Sequence, residues 1–65
     1  MNWDQVKGQW KQYKGSAKET WGDMTDDELM QAEGHRDKMV GLVQEKYGKA
    51  KEVAEREVDD WANSL

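Results

Sequence analysis

An all-α fold is the class this sequence predicts, and three observations predict it. Proline is absent from all 65 residues, apolar side chains recur at intervals of three and four, and glycines or capping residues punctuate the resulting segments. No alternating pattern of the kind that marks a strand competes with them. For a chain this short, a folded surface of about 4,300 Å² against roughly 11,000 Å² unfolded means that only ~60% is buried, so stability is expected to be thin. Charged residues (37%) outnumber apolar ones (35%), which leaves no room for a large core or an enclosed cavity for a small molecule.

The first helix is expected at about residues 3 to 21. Trp3, Val6, Trp10, Tyr13, Ala17 and Trp21 step by three and four, and therefore share one face at ~100° per residue. Asn2 with Gln5 resembles a capping box, and Gly22 suits a left-handed cap after Trp21. The second helix starts at Thr25, whose hydroxyl can accept from the Glu28 backbone while the Glu28 carboxylate reaches back. Asp26 and Asp27 then lie in a first turn that favours anions, and Leu29, Met30 and Ala32 form a short apolar patch before Gly34. A third helix is read from about 35 to 47, burying Met39, Val40, Leu42, Val43 and Tyr47 and ending at Gly48. The fourth carries Ala50, Val53, Ala54, Val58 and Trp61, with Glu52 and Arg56 spaced to pair, and frays near Asn63. Among the four tryptophans, Trp61 is expected to be the partly exposed one.

An internal duplication is also visible. Gly8, Gly15 and Gly22 lie seven apart, as do Gly34, Gly41 and Gly48, and the two sets are offset by 26 residues. The expected organisation is a single domain over 1–65 with pseudo-repeats at about 3–33 and 34–62, each a long helix, a glycine stop and a short capped helix. Neither half can bury its own stripe, so two packed helical hairpins, four helices in two layers, are the simplest closure. Gly8 and Gly15 fall roughly 150° from the apolar stripe, and Gly41 lies similarly opposite its own, so they are not core spacers. One reading of them is a partner surface needing close backbone approach; the favoured one is tolerated softness in helices held by packing.

The KGQWKQYKG opening, WGDMTDDEL, the EGHRDKMVGLVQEKYG stretch and EVAEREVDDW together resemble the CsbD-like family of small bacterial general-stress proteins, over nearly the whole chain. That resemblance implies a SAM-domain-like arrangement of the two hairpins, induction under general stress, and no assigned catalytic residue. Lys49 departs from the pattern: relatives often start the fourth helix with a hydroxyl cap after a third aromatic, so its start here is expected to be looser. Six glycines and a mean hydropathy of −1.22 also resemble hydrophilins, small proteins associated with osmotic and drying stress.

Several function classes are disfavoured by composition. No cysteine is present, which removes disulfides and thiolate metal sites, and the single histidine removes multi-histidine zinc sites. The longest apolar run is two residues, against ~20 for a membrane span, and MNWDQVK lacks the apolar region of a secretory signal. A cytoplasmic monomer without membrane attachment is expected. A net charge of −4 argues against a nucleic-acid partner. Charge is uneven along the chain: residues 1 to 22 hold four lysines and two acids, whereas 23 to 34 hold five acids and no base.

Lys7, Lys11, Lys14 and Lys18 form a cationic stripe about 85° from the apolar centre of the first helix, with Gly8 and Gly15 beyond it. These six residues are the candidate interaction face, for a protein partner ahead of nucleic acid, although the stripe also suits a solvated flank or an internal answer to the acidic segment. His35 reads as a surface histidine, and Asp23, Asp26, Asp27 and Glu28 lack the spacing of a calcium loop. Asp59 and Asp60 point about 100° apart and so cannot share one reacting atom. Ser16 and Ser64 have no base arranged beside them. No catalytic, cofactor or metal residue is assigned, no small-molecule substrate is expected, and the chain reads as a non-enzyme. The alternative to a stress protectant is a helical interaction module.

Overall fold

The computed structural model describes residues 2–65, and every regular element among them is a helix. Helix α1 spans Trp3–Gly8, α2 Trp10–Thr20, α3 Asp26–Ala32, α4 Arg36–Tyr47 and α5 Lys51–Asn63. Pairwise packing joins α2 to α3 and α4 to α5, with α3 lying on α4 and α1 leading into α2. The principal extents are 28 × 22 × 17 Å.

The expected first helix is two helices. Gln9 departs to φ −120°, ψ 28°, and its N–H is shared between the carbonyls of Gln5 and Val6. The joint follows Gly8, a weak helix former, and lies beside the place where the α3–α4 turn presses on α1. There Gly34 (φ +76°) leaves no room for a side chain, since a Cβ would sit 2.7 Å from the Lys7 Cα. The Asn2 side chain caps α1 by accepting from the Gln5 N–H at 2.9 Å, as a single bond rather than a reciprocal pair.

Gly22 is not a left-handed cap. α2 ends at Thr20, and Trp21 leaves the helix at φ −122°, ψ 80° to enter the core. The following turn is tied instead by the Asp23 N–H donating to the Tyr47 hydroxyl at 3.2 Å. α3 starts as read: Glu28 N–H donates to Thr25 Oγ1 at 3.1 Å, and Thr25 N–H donates to Glu28 Oε1 at 2.9 Å. It stops with both Glu33 (φ 56°) and Gly34 left-handed. Gly48 (φ 62°) closes α4 as expected. α5 has no side-chain cap, and Lys49 compensates by pairing with Glu57 and lying 5.6 Å from the Tyr47 ring centre.

The core differs from the expected stripes both in depth and, on α3 and at the start of α5, in face. Trp61, expected to be partly exposed, is 5% exposed and is the centre of the aromatic packing. Its ring lies 6.1 Å from Trp3, 6.0 Å from Trp10 and 5.5 Å from Trp21. Helical periodicity gives a side chain's direction, and only the tertiary arrangement shows that three other indoles meet it there. Trp61 Nε1 donates to Ser16 Oγ (3.2 Å) and Trp10 Nε1 to the Leu29 carbonyl (2.6 Å), while Trp21 Nε1 is buried without a partner. Trp3 is the half-buried tryptophan. Met30 and Val53, expected inside, are exposed at 58% and 42%, and Ala50 is also exposed. Leu42 and Tyr47 are only partly buried, whereas the loop residue Met24 is fully enclosed. Glu52 and Arg56 do not pair; the ion pairs that knit α5 run from Arg36 and Lys49.

Candidate functional site

The six residues of the candidate face do not act alike. Lys18 is turned to the acidic segment, its ammonium 3.2 Å from Asp26. Gly8 and Gly15 face open space on the far side of the lysine row. Lys7, Lys11 and Lys14 make no ion pair among the described residues and line one groove between α1–α2 and α3. Trp10, Met30 and Glu33 complete its lining, and it encloses ≈ 580 Å³.

Met30 and Glu33 are the residues that helical reading of the face left out. Their signal was present: Leu29 and Ala32 fix the inward direction of α3, and Met30 lies about 100° from Leu29 with Glu33 one turn on. Glu33 is itself countered from outside the groove by Lys38 at 3.5 Å. The result is an exposed thioether laid over the buried Trp10 ring and bordered by three ammonium groups without an ion pair among the described residues.

A second groove of ≈ 620 Å³ lies between α3 and α4, lined by Glu28, Gln31, Leu42 and Glu45 among others. Of its charges, Glu28 is paired with Lys46 at 2.9 Å and Lys38 with Glu33, while Glu45 makes no ion pair among the described residues. His35 stands at the N-cap of α4 and makes no capping bond there. Among the described residues, no three His, Cys, Asp or Glu side chains gather as metal ligands. Within the acidic segment, Asp26 is engaged by Lys18, and Glu28 by Lys46 and the α3 cap. Ser16 accepts from Trp61, and Ser64 donates to the Trp61 carbonyl.

Asp59 does not face Asp60. Arg36 holds it in a fork, Nε donating to Oδ1 at 2.7 Å and Nη2 to Oδ2 at 3.0 Å, with Glu55 at 3.5 Å from the same guanidinium. That hydrogen bond holds the Asp59 carboxyl below its ordinary range and raises Arg36. Hydrogen bonding from Lys46, then from the Thr25 backbone, lowers Glu28, and Glu28 in turn raises Lys46. Each of these displacements deepens the charged state. A general acid or base needs the opposite, a group poised near the working pH. These side chains are clamps between elements.

No helix among the described residues is long and apolar enough to cross a membrane. The CsbD-like family model matches residues 4–56. The UPF0337 protein of Pectobacterium atrosepticum is 59% identical over 61 residues, covering 94% of this chain and 88% of the relative. The UPF0337 protein of Pseudomonas aeruginosa is 54% identical over 65 residues, with both chains covered in full. UPF0337 protein YjbJ of Escherichia coli is 54% identical over 61 residues, covering 94% of this chain and 88% of its own. With a family model over most of its length and relatives at this level of identity, the chain belongs to the CsbD-like family.

Proposed function

We propose that the protein serves the general stress response without catalytic chemistry of its own, acting in the cytoplasm as a monomer through abundance and a hydrated exterior, as hydrophilins do. Membership of the CsbD-like family carries this reading. The mean hydropathy of −1.22 supports it, as do side-chain charges committed to clamps between helices. The test is protection of an unrelated enzyme, lactate dehydrogenase, through drying or heating. Residual activity should rise with the concentration of this protein and survive rearrangement of its surface charges. No protection beyond that of an equal mass of serum albumin overturns the reading.

A second reading is an interaction module that takes a protein partner on the face of Lys7, Gly8, Lys11, Lys14, Gly15 and Lys18. The three unpaired lysines bordering a groove favour it. A single stoichiometric crosslinked species from stressed cells, lost on Lys11→Glu, supports this reading; crosslinks that scatter over many proteins oppose it.

We also read the chain as one domain of two related halves, arranged as SAM-domain-like hairpins. The starts of α2 and α4, residues 10 and 36, keep the 26-residue offset of the glycines and support this.

A further inference from the structure

We propose that the groove between α1–α2 and α3 is a docking site for an acidic amphipathic helix of a partner protein; this rests on the interaction reading above and specifies its ligand. The cations are arranged as a row. Lys11 and Lys14 lie one turn apart on α2, and Lys7, on α1 before the break at Gln9, lines the same groove. A lone phosphate or carboxylate is gripped by donors that meet at a point, whereas a row is matched by another row. Acidic side chains along one face of a second helix, at i, i+4 and i+7, supply one.

The thioether beside the row gives the apolar half of the match. Met30 is the most exposed large apolar side chain among the described residues, at 58%, and its unbranched thioether adapts to whatever is laid on it, with the Trp10 ring behind it. A partner helix with leucine-like residues flanking its acidic stripe covers Met30 while its carboxylates meet the lysines. Glu33, the one acid on the lining, is paired with Lys38, so the groove keeps three cations without an ion pair among the described residues. The net charge of −4 does not oppose the contact, because charge farther than a screening length of ~8–10 Å is damped at physiological salt while the row acts at close range.

The experiment titrates the isotope-labelled protein with three probes: an 18-residue synthetic helix bearing glutamates at i, i+4, i+7 beside a leucine stripe, a scrambled peptide of the same composition, and phosphatidylglycerol vesicles. The ordered peptide should move the resonances of Lys7, Lys11, Lys14 and the Met30 methyl. Lys11→Glu and Lys14→Glu should each weaken binding about tenfold without changing thermal unfolding, and Lys11→Arg should retain it. Equal binding of the scrambled peptide, or vesicles replacing the peptide as the groove's ligand, overturns the proposal. So does displacement of the same resonances on concentrating the protein alone, which makes a second copy the occupant. Shifts confined to Gly8, Gly15 and Lys18 overturn the groove but leave the interaction face standing, whereas no shift anywhere on α1 or α2 with any probe removes both.

Discussion

At the scale of single residues, Trp61 and Gly34 bear more of the structure than their neighbours. Trp61 meets three other indoles and fixes Ser16, so Trp61→Ala should cost about 3–5 kcal/mol in urea unfolding followed by helical circular dichroism. Trp3→Ala, at a half-buried ring, should cost clearly less; equal losses would mean that Trp61 is not the centre. Gly34 combines a positive φ with backbone contact to Lys7. Gly34→Ala is expected to destabilise by about 1–3 kcal/mol, and a neutral result would show that the turn relaxes away from α1.

At the scale of elements, helix softness and helix punctuation separate cleanly. Gly15 and Gly41 lie inside α2 and α4 with open space where a Cβ would go. Alanine at each should therefore stabilise by about 0.5–1 kcal/mol, read as a rise of several degrees in melting temperature. A fall at either position would reveal a contact on that face. Much of the punctuation was legible in the residues: Thr25 with Glu28, Asn2 before Gln5, and Gly48 after Tyr47 all act locally, through bonds reaching three residues or a single φ. The break at Gln9 was not, because glutamine carries no breaking tendency and the pressure comes from a turn 25 residues away in sequence. Gly22 misled for a related reason: Tyr47, from another helix, holds that corner. The lysine row was readable from spacing alone. The groove beside it was not, since its other wall belongs to α3.

At the scale of the whole molecule, 4153 Å² of folded surface agrees with the ~4,300 Å² expected for this length and implies the same thin margin. Ion-pair clamps then shape the pH profile. Asp59 and Glu28 are lowered from ordinary values of 3.8 and 4.5, so their contributions are complete above those values and vanish as pH falls through the lower folded ones. Lys46 is raised from 10.5, so its contribution is complete below that pH and is lost as pH climbs past its folded value. Melting temperature should hold level from about pH 4.5 to 10.5 and drop on both sides. Lys46→Met should shrink the alkaline drop and the Glu28 part of the acidic one, and Arg36→Met the Asp59 part of the acidic one; profiles identical to the parent would remove the clamps from the account. The position of Trp61 bears finally on biosynthesis. Since the ring that gathers the other three indoles lies far along the chain, the aromatic centre cannot close during synthesis until codon 61 has been read.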